Sequence, residues 1–235
     1  MACRSEVTQY LLLNKHLAAL YTLIAYISWQ LHELGHWIAC KVLGIDAIFG
    51  FNEWKIVSSY GPFTLAIVAG PLTNLILAVT GLALICFASS LAARIGLFLL
   101  LSNTFIDIGA ALVSIKHVVA YPSLQAEPTW KLVLIPAFVA LTYVGLKAYR
   151  EKLRLRTLLV MAALTAVLAA ASIPMDIATW SCIERGMPIC SPVAGISAIV
   201  VVVNVVVAII TVTYVAMYRE ELKAIKLRTS SSRER

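Results

Sequence analysis

The chain has 235 residues, 61% of them hydrophobic and 13% charged, with a formal net charge of +7. That composition excludes an ordinary soluble domain, since several apolar runs approach the length needed to cross roughly 30 Å of hydrocarbon. The positive charge requires no nucleic acid, because it concentrates in KAYREKLRLR and the C-terminal tail, where anionic lipid headgroups account for it.

Residues 1–16 read as a cytoplasmic N-terminus without a cleavable signal peptide, lacking a short apolar core before a small-residue cleavage site. Six spans follow: Leu17–Leu43, Gly61–Ser89, Ile95–Ile115, Leu132–Leu146, Thr157–Pro174 and Pro192–Met217. The expected fold is therefore an all-α membrane protein of about six transmembrane helices, with a three-helix core over 17–115 that would be its catalytic part and a short β-hairpin at the membrane edge. Residues 116–218 would add accessory transmembrane helices, and 219–235 a basic disordered tail. The fourth span is short and is expected to rely on Lys147 snorkelling to the interface. Loops are short, which leaves no room for an appended soluble domain.

The positive-inside rule orients this bundle with both termini cytoplasmic, since fourteen of the nineteen Lys and Arg residues then lie inside. Trp54, Trp130 and Trp180 fall near the outer boundary, as an aromatic belt would. The multi-pass protein is expected in the cell membrane. Cys182 and Cys190 share one outer loop, either bonded or as two free thiols.

The first span contains His32-Glu33-Leu34-Gly35-His36, an H-E-x-x-H pattern. Two histidines four apart project from one helix face, one turn apart, which suits two imidazole nitrogens on a tetrahedral zinc with Glu33 beside them. Composition alone would produce the pattern about three times in a thousand such chains. The plainer reading, buried polar residues satisfied by neighbouring spans, must account for a glutamate and two histidines together, at roughly 2.5–3.5 kcal/mol for an ionised group at a helix centre.

Catalytic zinc takes a third protein ligand and keeps one open position. Of the twelve Asp and Glu residues, only Glu33 and Asp107 lie well inside the predicted spans. His32 is about 22 Å along its span and Asp107 about 18 Å along the third, which runs the same way, so their depths agree to about one turn. Asp107 is thus the candidate third ligand beside His32 and His36 on one Zn2+, or else a carboxylate paired with another buried polar group. Asn74, three residues after the helix-bending Pro71, is a candidate to hold a substrate backbone or an oxyanion, or else to tie two helices together. Asn103, one turn before Asp107, is a second substrate-binding candidate of the same kind. The segment 45–60 partly alternates apolar and polar residues. It reads either as a short hairpin at the membrane edge, able to receive an extended peptide by strand addition, or as a plain connecting loop. His16 and His117 sit at span ends, where an interfacial role fits better than metal binding.

HELGHWIACKVLGIDAIFGFN, AGPLTNLILA and Asp107 together resemble the site-2 protease family of intramembrane zinc metalloproteases, over residues 17–115. The resemblance implies zinc held by His32, His36 and Asp107, Glu33 as base, Asn74 near the substrate, and a transmembrane protein as substrate. The chain departs from the family pattern in having Asp107-Ile108-Gly109 with no nearby proline. The family also turns its zinc site towards the cytosol, whereas the charge count turns this one outward, and both orientations stay open at this stage. The competing function is a non-proteolytic polytopic membrane protein, either a pseudoprotease or a metal-binding carrier. Against a carrier, only Gly70-Pro71 suggests a broken helix, where paired ones are expected. An aspartyl intramembrane protease would need two membrane aspartates, and a vestibule-type zinc protease a downstream intramembrane glutamate.

Overall fold

The computed structural model describes residues 15–51, 54–57, 63–120, 126–149, 153 and 155–224. The chain is mostly helical: α1 Lys15–Val42, α2 Phe63–Phe87, α3 Ser90–Ala120, α4 Ala126–Ala148, α5 Leu155–Glu184, α6 Ala198–Met217 and the short α7 Arg219–Ala224. Among the described residues, four stretches are long and apolar enough to cross a membrane: Thr64–Phe87, Ser90–Ala111, Leu155–Glu184 and Ala198–Met217. Val133–Ala148 forms a shorter apolar helix.

The helix α1 has the length to span, but Gln30, His32, Glu33 and His36 interrupt its apolar character, and all four are buried. It is an interior helix. Leu17, Leu20, Tyr21 and Ile24 pack with Ala78 and Ile85 of α2, with Leu97, Phe98 and Leu101 of α3, and with Phe138 of α4. The Tyr21 ring meets Phe98 edge-on at 5.6 Å between centroids, and its hydroxyl reaches Thr165 Oγ1 of α5 at 2.7 Å. The outer helices α5 and α6 bury little of themselves, and Val167, Val202, Ile209 and Val212 stand exposed.

Helix directions follow from the contacts. Tyr21 meets Phe98, and Ser28 meets Ser102 and Asn103, so α1 and α3 run parallel. Gly81 faces Gly96 while Asn74 faces Asp107, so α2 runs antiparallel to α3. The glycine pair sets the α2–α3 approach: a Cβ on either residue would run into the other's carbonyl oxygen. Small residues are what allow helix backbones this close.

A four-stranded sheet in the order β2-β1-β4-β3 closes one end of the bundle. The hairpin expected in 45–60 forms, with β1 (Ala47–Phe49) antiparallel to β2 (Trp54–Ile56). The other two strands come from the linker between α5 and α6: β3 (Pro192–Val193) pairs antiparallel with β4 (Ile196–Ser197), and β4 lies parallel to β1 through Phe49 and Ile196. The β3–β4 turn uses Ala194 and Gly195, both with positive φ (54° and 85°), the conformation of a two-residue hairpin turn. Cys182 and Cys190 are joined as a disulfide with 5.8 Å between their Cα atoms.

Several boundaries differ from the sequence reading: α3 and α4 begin earlier than predicted, at Ser90 and Ala126, and α3 runs on to Ala120. The helix α5 does not stop at Pro174 but continues to Glu184. Proline deletes one backbone hydrogen bond without ending a helix whose neighbours hold it in place. The sixth span does not begin at Pro192, where two short strands precede the helix. The tail expected to be disordered from 219 begins with α7, whose Leu222 carbonyl accepts a hydrogen bond from the buried Arg94 guanidinium. Residues 225–235 lie outside the described residues, as do the side chains of His117 and Trp130. Lys147 folds over the Tyr143 ring at 4.6 Å. His16 bonds Tyr214 Oη at 2.7 Å and pairs with Glu221 at 3.4 Å, a helix-end role rather than a metal site.

Candidate active site

The geometry starts from the i, i+4 spacing of α1. His32 and His36 project from one face, with Nε2 atoms 3.2 Å apart and rings nearly perpendicular at 84°. At ordinary Zn–N lengths of about 2.0–2.1 Å, a tetrahedral centre separates two ligand nitrogens by about 3.3–3.4 Å. The pair therefore has the bite of a zinc site.

The orientation of His36 comes from α2. Its Nδ1 lies 2.6 Å from the Ala66 carbonyl oxygen, a contact that is a hydrogen bond only if Nδ1 carries the proton and donates. The Gly70 amide also approaches Nδ1, at 3.4 Å, but the shorter contact decides the tautomer. Nε2 is then left with its lone pair directed at His32, the second-shell arrangement usual for metal-binding histidines. Space for the ring is made by Gly70, since a Cβ there would come within 2.1 Å of His36 Nε2. One residue earlier on α1, a Cβ at Gly35 would strike Thr73. Glycines in H-E-L-G-H and in A-G-P thus each make room for the opposite helix, Gly35 for Thr73 and Gly70 for His36.

One turn further along α2, Asn74 Nδ2 donates to Asp107 Oδ2 at 2.8 Å. Ala66, Gly70 and Asn74 form a single stripe at i, i+4 and i+8, so one face of α2 positions both His36 and Asp107. The level of Asp107 can be read from α3. Asn103 touches Ser28 at 3.3 Å, the two helices run parallel, and Asp107 and His32 each lie four residues beyond that contact. Asp107 therefore stands at the height of His32, 1% exposed. Among the described residues, no three His, Cys, Asp or Glu side chains are gathered as a metal-holding group. The histidine pair is in contact, and Asp107 is held at its level through Asn74. Glu33 is buried beside His32 on α1.

Both asparagine candidates are fully buried and tie helices together. Asn74 bridges α2 and α3, while Asn103 Nδ2 bonds the Leu99 carbonyl at 2.7 Å and Ser28 Oγ at 3.3 Å. Their Oδ1 atoms are buried and have no hydrogen-bond partner among the described residues.

The sequence reading passed over several buried polar residues. Ser28 precedes His32 by one turn, as Asn103 precedes Asp107, and this repeated i−4 spacing was a usable signal. Gln30 donates to the Phe51 carbonyl and accepts from Asn204 Nδ2 of α6 at 3.0 Å. Asp176 is buried in α5, beyond the predicted end of its span. Comparisons with protein-family models, curated proteins and solved structures return no match.

Proposed function

We propose that this protein is an intramembrane zinc endopeptidase that hydrolyses peptide bonds within the transmembrane segments of other proteins, a zinc protease of the kind its motifs resemble. The observation that carries this reading is the pair of histidine Nε2 atoms 3.2 Å apart on a buried helix, with the one carboxylate of α3 held at the same height. The donor set fits zinc: two imidazole nitrogens, one of fixed tautomer, and a carboxylate. His32, His36 and Asp107 would hold the ion. When bound, zinc polarises a peptide carbonyl and lowers the pKa of water to about 7.

The remaining chemistry belongs to the chain. Glu33 takes the proton from the attacking water and delivers it to the leaving amine nitrogen. The Ala66 carbonyl keeps His36 in the tautomer that exposes Nε2. Asn74 keeps Asp107 in place. Burial of all four acidic and basic groups excludes bulk water and strengthens their interactions.

In this reading six helices, α1 to α6, cross the bilayer, and the exposed aliphatic faces of α5 and α6 meet lipid. The bundle end carrying the sheet also carries the Cys182–Cys190 disulfide. Disulfides persist in oxidising compartments, so this end faces away from the cytosol, in agreement with the charge bias. The histidine pair lies in the half of α1 nearer that end.

The test is cleavage of a designed single-span substrate by the purified protein, wild type against Glu33→Gln. Cleavage by wild type alone is expected, and equal cleavage by both would sink the mechanism.

A further inference from the structure

A zinc site buried among helices needs its substrate in extended form, because helical carbonyls are engaged in their own hydrogen bonds. Strand addition to β1 would supply that form. One side of β1 is taken by β2, and its other side is already covered by the protein itself: the Phe49 amide donates to the Gly195 carbonyl at 2.8 Å, with Phe49 opposite Ile196. We propose that the α5–α6 linker is an internal plug, seated in the strand-docking edge of β1, which an extended aliphatic segment of the substrate must displace. This rests on the endopeptidase reading above.

Three features make the linker a removable part rather than a core strand. Its backbone pairing with β1 is thin, a single register pair, where β1 and β2 share three. Its internal structure is self-sufficient: the disulfide, the β3–β4 hairpin and a hydrogen bond from Ser197 Oγ to the Cys190 carbonyl at 3.1 Å hold it together without β1. Such a unit can swing away without unfolding, as locally cooperative units do. Its outer edge also begins at Pro192, which has no N–H to offer a further strand.

The location links the plug to the chemistry. Phe49, Phe51 and Val200 form one apolar cluster with Ile196 of the plug and with Leu34 and Trp37 of α1, the residues interleaved with Glu33 and His36. A strand seated at this edge runs beside the zinc helix. Two contacts hold α5 and α6, the helices that flank the plug, to this region. Gln30 bridges Phe51 and Asn204 of α6, and Lys55 of β2 lies 4.1 Å from the centroid of the Trp180 ring of α5.

The test uses the full chain in nanodiscs in three forms: wild type, Asn204→Leu to free α6 from Gln30, and Phe49→Cys with Ile196→Cys, oxidised, to lock the plug. Thermal unfolding confirms that each form is folded. Amide hydrogen exchange at 47–49 and cleavage of a designed single-span substrate are measured together. The released form is expected to exchange at least tenfold faster and to cleave several-fold faster. The locked form is expected to lose cleavage and regain it on reduction, with reduced wild type as the control. A fully cross-linked form that cleaves at the wild-type rate overturns the plug. Should wild type cleave nothing, the endopeptidase reading fails by itself, and exchange decides the plug. Faster exchange in Asn204→Leu, reversed by a valine- and threonine-rich ten-residue peptide, supports it, and unchanged exchange overturns it.

Discussion

Replacing Gly70 by alanine puts a methyl carbon 2.1 Å from His36 Nε2. To regain van der Waals separation the ring must retreat by about 1 Å or more. The Nδ1 contact to the Ala66 carbonyl, now 2.6 Å, would lengthen to about 3.6 Å, which is no longer a hydrogen bond. Overpacking of this kind costs about 1–3 kcal/mol, and the lost hydrogen bond about 0.5–1.5 kcal/mol, so a loss of about 2–4 kcal/mol in stability is expected. Loss of a histidine's second-shell partner also weakens metal binding, by about 10–100-fold. Unfolding in mixed micelles measures the first effect and competition with a zinc chelator the second. Gly109→Ala is the control, since a Cβ there meets nothing within 4 Å, and it should be neutral or slightly stabilising through helix propensity. The reasoning is refuted if Gly70→Ala matches wild type in both stability and zinc affinity.

Asn74→Leu removes the donor that holds Asp107 Oδ2 and should lower zinc affinity by about 10–100-fold; a wild-type affinity in the same chelator assay would remove Asn74 from the site. Ala194→Gly relieves a non-glycine residue at φ 54°, where the left-handed region costs about 1–2 kcal/mol. A rise in melting temperature is expected, net of the flexibility glycine adds to the unfolded chain, and a fall would contradict the turn. An impermeant maleimide applied to each face of oriented vesicles should reach exposed Cys86 from the cytosolic side. Cys182 and Cys190 should react from the opposite side, and only after reduction. The reverse pattern would invert the topology.

Much of the site could be read from spacing, because helices turn sequence intervals into geometry. The separations of His32 from His36, and of Asn103 from Asp107, are each one turn and survive any error in helix ends. Asn74 was legible as a buried polar residue, but whether it met substrate or another helix depended on what α3 brought to it. The β1–β4 pairing was not legible, because strands of two or three residues carry no periodicity and their partners lie about 150 positions apart. The end of α5 was misjudged because Pro174 was read as a stop, although a proline interrupts only one hydrogen bond when neighbouring helices hold the chain. That error also removed Asp176 from the inventory of membrane-depth acids. Gln30 was overlooked because its partners, Phe51 and Asn204, come from a loop and the last long helix.

The glycine contact between α2 and α3 has an effect far from where it sits. Asn103 and Asp107 are one turn apart on α3, so a slip of that helix by a single turn, about 5.4 Å, would set a neutral amide at the height of His32, where a carboxylate now stands. Sliding helices do move in such steps. Gly81 and Gly96, about 16 Å down the helix from Asp107 by its rise, lock the two backbones at one setting. They act as an indexing pin: a pair of residues with no side chains determines which residue of α3 stands at the level of the histidines.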